Sequence, residues 1–120
     1  SRSTATRNDA MSVTAKPLSV AAYLPAADTE IYKANGVRTI LDKVTAYNSD
    51  ALAIVVAFNL VPNGGTVGAG NKVVSKSVAA GETYTFPEVC GHVLESGGSL
   101  SGIAGTADKV VVRVSGREVT

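Results

Sequence analysis

The residues of this chain best suited to chemistry are Cys90 and His92, which a single glycine separates. In an extended segment alternate side chains point to the same face, so the thiol and the imidazole could contact one metal ion. A structural zinc site needs four ligands, whereas the chain has one cysteine and one histidine. We therefore predict no metal site and interpret Cys90 as a small buried thiol beside a histidine in a connecting segment.

The same two residues could form a nucleophile and its base, with a carboxylate to orient the imidazole. Glu88 and Glu95 flank them and are the candidates for that third group. Residues so close in sequence rarely form a pocket, and no element typical of an oxyanion hole accompanies them. We predict that the chain has no catalytic residue and is not an enzyme.

A glycine-rich stretch, GGTVGAG at residues 64–70, invites comparison with phosphate-binding loops. Such a loop requires Gly-Lys followed by Ser or Thr, with a helix behind it. Here the glycines are followed by Asn71, Lys72 and Val73, which favour a strand. We interpret the stretch as a flexible hairpin loop and predict no bound cofactor.

Charged and aromatic residues are too scattered for a carboxylate pair or a nucleic-acid site. The acidic pair of a glycosidase lies about 5–10 Å apart in a cleft, whereas the carboxylates here lie mostly in predicted turns. The chain has 11 basic and 10 acidic residues, a net charge of +1, without the clustering that nucleic acid requires. It also lacks the roughly 18 consecutive apolar residues of a membrane span. We expect neither nucleic acid nor a membrane as a partner.

The elements that must position these residues are strands. Hydrophobic residues make up 45% of the 120 residues, but aromatic residues only 5%, and Trp is absent. The core must therefore consist mainly of Val, Ala, Leu and Ile, of which the β-branched residues suit pleated sheets. Residues 13–24 contain Pro17 and precede Pro25, which predicts an edge strand or an extended arm.

Residues 1–10 are polar and precede Met11. We interpret them as a leader sequence or a flexible arm. Residues 11–120 are then predicted to form a single domain, because their number is typical of one domain.

The clearest strand covers residues 51–61, because it is apolar on both faces. One face has large side chains at Leu52, Ile54, Val56, Phe58 and Leu60. The other face has Ala51, Ala53, Val55, Ala57, Asn59 and Val61. Because such a strand is typically covered on both sides, we predict a second sheet over the first face, and a loop or another subunit over the second.

Shorter strands are predicted at residues 31–32, 72–78, 83–86, 100–104 and 109–114, with a last short piece at 117–119 after a possible bulge at 115–116. Residues 37–47 favour a strand, with a helix as the alternative, because Ile40, Leu41 and Val44 would also share a helical face. Residues 88–94 are predicted to form one helical turn or an irregular connection. Seven or eight short strands separated by turns predict an all-β fold, a single antiparallel β-sandwich of Ig-like or jelly-roll type.

The C-terminal part contains a recognisable succession of motifs. Strand 72–78 is followed by AAGETY, a short proline-led connection, GHVLESGGSLS and VRVSGREV. This succession resembles small virion proteins of tailed bacteriophages, the Ig-like or jelly-roll modules that decorate or cement heads or belong to tails. The resemblance covers about residues 30–119 and assigns no role to Cys90 or His92. It implies a structural protein of the virion, assembled in a bacterial host, that binds a major capsid protein or another virion protein, often as a trimer.

We therefore expect a capsid decoration or cement subunit that forms a homo-oligomer, with a trimer favoured. The alternatives are a tail, neck or fibre-associated phage module, or a carbohydrate-binding or adhesion sandwich, against which the absence of Trp argues. Small residues permit close approach of another backbone, and arginines can form ion pairs across an interface. The interface is therefore predicted to include the face of Ala51, Ala53, Val55 and Ala57, and Arg113 and Arg117 are further interface candidates.

Overall fold

The computed structural model describes residues 12–120, which form nine strands in two antiparallel sheets. The prediction of an all-β antiparallel sandwich is confirmed. The strands are β1 Val13–Tyr23, β2 Thr29–Lys33, β3 Arg38–Asn48, β4 Ile54–Val61, β5 Lys72–Val78, β6 Thr83–Thr85, β7 Val93–Leu94, β8 Ser99–Ala104 and β9 Val110–Val119. Near the C-terminus, β7 lies in the segment predicted to be irregular, and β9 is one continuous strand where two pieces were predicted. The predicted leader at residues 1–10 lies outside the described residues.

Sheet A has the strand order β1-β9-β3-β6, with β7 paired to the other end of β3. Sheet B has the order β2-β8-β4-β5. β1 is therefore an edge strand, as its prolines predicted. Two open sides result: the first lies between β1 and β2, and the second between β5 and β6, where Lys76 lies over the ring of Tyr84.

The core between the sheets is mostly aliphatic, as the composition predicted. Its aromatic centre is Phe86, whose ring contacts Phe58 and Tyr84 edge to face, with ring centres 4.9 and 4.8 Å apart. Such pairs stabilise beyond the area they bury. From β4 and β9, alternate side chains face inward, as predicted, and are at most 4% exposed: Ile54, Val56, Phe58, Val110, Val112 and Val114.

The start of β4 differs from the prediction, and the cause is Asn48. Its side-chain amide donates hydrogen bonds to the carbonyls of Leu52 (2.9 Å) and Val78 (3.0 Å), and its Oδ1 accepts one from the Asp50 amide (2.9 Å). These bonds hold residues 49–53 in a turn. The prediction that Leu52 lies in the core is wrong, because its side chain is 72% exposed.

The same turn removes two predicted interface residues from the strand. Ala51 and Ala53 are exposed but precede β4. Only Val55 and Ala57 belong to the predicted small-residue face. The prediction that Ala51, Ala53, Val55 and Ala57 share one strand face is therefore wrong for Ala51 and Ala53.

β3 is a strand rather than a helix, and its imperfect alternation has a structural cause. Its register with β9 shifts between Leu41 and Lys43, so one extra residue is accommodated there as a β-bulge. The buried positions change phase at this point, from Leu41 before the bulge to Val44 after it. β1 shifts between Pro17 and Ser19, opposite the same part of β9. The predicted bulge at residues 115–116 thus lies in both neighbours of β9 rather than in β9.

Candidate functional site

The segment that contains Cys90 and His92 is a series of turns between β6 and β7. The carbonyl of Phe86 accepts hydrogen bonds from the amides of Val89 (3.1 Å) and Cys90 (3.3 Å), and the Cys90 thiol lies 3.2 Å from the same oxygen. Leu41 in β3 donates its amide to the His92 carbonyl at 2.9 Å, which ties the segment to sheet A. Cys90 is partly exposed rather than buried, and His92 is exposed.

Within residues 12–120, no group of three or more His, Cys, Asp or Glu side chains lies close enough together to hold a metal ion. In the same part of the chain, no helix is long and apolar enough to cross a membrane.

The glycine-rich loop, residues 62–71, connects β4 to β5 and folds back on sheet B. The amide of Asn59 donates to the Gly68 carbonyl (2.9 Å) and to Asn71 Oδ1 (2.7 Å), and Asn71 donates to the Thr66 carbonyl (2.8 Å). Asn59 points to the outer face of sheet B and is only 1% exposed. The loop therefore covers this end of the outer face. A loop was one of the two predicted covers of this face, and another subunit was the other.

The other end of the outer face of sheet B remains open around Val55, whose side chain is 51% exposed. Next to it, Ala57 pairs with Ile103 of β8. The surface forms a shallow groove of about 260 Å³, here called the Val55 groove, lined by Ala26, Val55, Ala57, Lys72, Ser75, Ile103, Ala104 and Gly105. Lys72 is the one charged residue in this lining, so the groove is suited to an apolar surface rather than to a charged ligand.

Arg117, predicted as an interface residue, is already engaged within the chain. Its guanidinium lies on the outer face of sheet A and binds both carboxylate oxygens of Asp42, with Nη2 2.9 Å from Oδ1 and Nε 3.0 Å from Oδ2. Bidentate pairs of this kind fix orientation. The β3 bulge thus places the Asp42 carboxylate beside Arg117 of β9.

Arg113 lies on the same outer face and lines a second shallow groove of about 260 Å³ with Lys43, Thr45 and Ser115. None of the ion pairs within residues 12–120 includes Arg113 or Lys43. The structure therefore brings Val55 and Ala57 together on sheet B, but places both arginines on the opposite side of the sandwich. The six predicted residues do not form one surface.

A polar cluster that the sequence did not reveal joins the two sheets at the first open side. Tyr32 in β2 donates a hydrogen bond to Glu118 Oε2 in β9 (2.5 Å) and lies 2.7 Å from the hydroxyl of Thr39 in β3. Lys16 in β1 contacts Glu118 Oε1 at 3.2 Å. The sequence of β9 did contain a sign of this cluster. Glu118 continues the alternation of the inward-facing valines Val110, Val112 and Val114.

The electrostatics of this cluster favour an ionised Glu118 and a neutral Tyr32. The hydrogen bond from Tyr32 lowers the pKa of Glu118, with Lys16 adding to the effect and partial burial opposing it. Burial raises the pKa of Tyr32, and the Glu118 carboxylate raises it further. The cluster is therefore a hydrogen-bonded and ion-paired contact between the two sheets.

No protein-family model matches the chain, and no curated protein matches its sequence. Among solved structures, it is similar to a chain from Bacillus endospore appendages, which are described as a novel family of disulfide-linked pili. The two share a TM-score of 0.51 and 14% identity, over 92% of this chain and 89% of that chain. At this identity the likeness concerns the fold, and it places the chain among small two-sheet, all-β sandwich proteins.

Proposed function

We propose that this chain is a non-enzymatic structural subunit that assembles with copies of itself. The observation that carries the proposal is the Val55 groove, an exposed apolar surface on a strand whose other face forms the core. The likeness in fold to a chain from pili, over nearly its whole length, supports a second copy of the chain as the occupant.

The groove is suited to close contact with another copy. Ala57 and Gly105 have little or no side chain, so another surface can approach the sheet, while Val55 and Ile103 provide apolar area. A specific interface usually buries about 1,200–2,000 Å² in total. The contact must therefore extend beyond the groove, and the exposed turn with Ala51 and Ala53, which leads into β4, provides adjoining small residues.

Assembly of this chain must rest on non-covalent contacts, in contrast to disulfide-linked pili. The 120 residues contain one cysteine, Cys90. One thiol per copy can join two copies through a disulfide but cannot extend a series of copies, because each further link needs a second thiol. Self-assembly should therefore survive a reducing agent.

The experiment is to replace Val55 by Glu and measure oligomer mass by light scattering. We expect Val55→Glu to dissociate the assembly while the chain remains folded, because the side chain is half-exposed in the monomer. Val93→Glu is the matched control: Val93 in β7 is 46% exposed, lies in the other sheet and should leave the mass unchanged. Dissociation by both variants, or by neither, would contradict the groove as the interface.

A second candidate is a capsid decoration or cement subunit, which the motifs between residues 72 and 119 favour. Like the first candidate, it acts through protein–protein contacts. It differs in needing a closed oligomer, with a trimer expected, and a capsid protein as the partner. Closed symmetry gives one fixed mass, whereas a head-to-tail contact that does not close gives a mass that grows with concentration. The same light-scattering series separates the two.

A further inference from the structure

Lys76 has an unusual position for a charged residue, because it points inward from an edge strand. It pairs with Val56 of β4, whose side chain is fully buried, and directly opposed residues in an antiparallel pair point to the same face. Its Nζ lies 4.5 Å from the centre of the Tyr84 ring, in β6 of the opposite sheet. The long side chain thus crosses the second open side and is partly exposed there.

Among the edge strands, β5 is the one most open to pairing with a strand from another chain. It pairs with β4 without a shift from Val78 to Val74, so its outer backbone groups form a regular row that could accept another strand. The other edges are short or irregular. β2 has five residues and one register shift, β6 has three residues, and β1 contains Pro17 and two shifts.

We propose that Lys76 closes the β5 edge to strands from other chains, so that copies of this protein contact one another through the outer faces of the sheets. A strand added beside β5 would extend sheet B over the open side and bury the ammonium group. Removing a charge from water is costly unless an opposite charge compensates it, and none of the ion pairs within residues 12–120 includes Lys76. In the present fold, its ammonium group lies over the Tyr84 ring and its side chain is partly exposed.

The edge strand at the first open side also has an inward-pointing lysine, which differs from Lys76 in being ion-paired. Lys16 on β1 pairs with the buried Gly116 and reaches Glu118 between the sheets. Inward-pointing charges on edge strands are a known means of preventing strand addition. The closed edge is inferred from the edge geometry alone, whereas contact through the outer faces rests on the proposed function.

The test is to replace Lys76 by Met, which keeps an unbranched chain over Tyr84 but removes the charge. Lys33→Met is the matched control, because Lys33 is exposed at the end of β2, the other edge strand of sheet B, and does not line the Val55 groove. We expect Lys76→Met to self-associate at least about tenfold more tightly than wild type in sedimentation velocity. Hydrogen exchange should then show new protection of backbone amides within residues 73–78, and Lys33→Met should behave as wild type.

A folded Lys76→Met that keeps the mass distribution of wild type overturns the proposal. So does wild-type protein whose assemblies already protect the outer amides of β5. If circular dichroism shows that Lys76→Met unfolds, Lys76→Gln replaces it with the same expectation, and no gain in association then counts against the proposal. The result is independent of Val55→Glu, so failure of the groove and failure of the closed edge are distinguishable.

Discussion

At the scale of single residues, the side chain of Asn48 links the two sheets. It ends β3 in sheet A, yet it binds the carbonyl of Val78 in sheet B and holds the turn before β4. Its side chain is fully buried with both amide atoms bonded. A buried amide in this state connects the two sheets and sets where β4 begins.

We expect Asn48→Ala to lower the free energy of unfolding by about 2–4 kcal/mol, because it leaves two carbonyls and one amide without their partner. Urea unfolding followed by circular dichroism measures this change. Asn35→Ala is the control, since Asn35 is exposed in a turn and should shift stability by no more than about 0.5 kcal/mol. Equal effects of the two variants would show that Asn48 is not the connection described here.

Gly116 is a second residue with a specific role, because β9 passes closely between the bulges of its neighbours. A Cβ at this position would lie 2.3 Å from the Ile40 carbonyl oxygen and 2.8 Å from Leu18 Cδ1. We expect Gly116→Ala to destabilise the fold by about 1–3 kcal/mol or more through overpacking, seen as a lower midpoint of thermal unfolding. Gly70→Ala, where a Cβ meets nothing within 4 Å, should change the midpoint little; a tolerated Gly116→Ala contradicts the close approach.

At the scale of elements, the polar cluster of Lys16, Tyr32, Thr39 and Glu118 joins four strands from both sheets. Folding lowers the pKa of Glu118 below its ordinary value of 4.5. Its contribution to stability is therefore complete above about pH 4.5 and is lost as the pH falls through the folded value. Folding raises the pKa of Tyr32 above 10.0, so its contribution is lost only as the pH rises through its raised folded value.

We expect the stability of the wild type to decline as the pH falls below 4.5, and Glu118→Gln to reduce this dependence. Unfolding free energies from urea titrations at a series of pH values test it. Glu95→Gln removes the same charge from an exposed ion pair with Arg38, so the difference between the two variants isolates the contribution of Glu118. Identical pH profiles for both variants would count against the inter-sheet contact.

Elements were predictable from the sequence where a single local pattern decided them. The alternating valines of β9 and the apolar run of β4 predicted both strands and their inward faces. The sequence did not reveal where β4 starts, because that depends on bonds from Asn48 to residues 4 and 30 positions away. The same holds for the bulge in β3 and for the two-residue strand β7, which exist only because their partner strands lie beside them.

The candidate surface was predictable only in part, for the same reason. Val55 and Ala57 point outward because strand alternation is local. Arg113 and Arg117 were predicted as separate interface candidates, and pairing of β9 with β3 puts them on the other sheet. Whether the outer face of sheet B is open also depends on residues 62–71, which fold over Asn59.

At the scale of the whole molecule, the structure combines closed edges with an open apolar face. The edges are short, irregular or guarded by inward-pointing lysines, whereas the Val55 groove has no cover within residues 12–120. A subunit of this kind can associate through a face while remaining protected against uncontrolled strand addition. The self-assembly that we propose requires this combination.

The most direct test of self-assembly is the solution mass of the unmodified chain, measured by light scattering over a concentration series with a reducing agent present. We expect a mass well above the 12.2 kDa of one chain and a return to that mass on replacing Val55 by Glu. A constant mass of one chain at every concentration would contradict it.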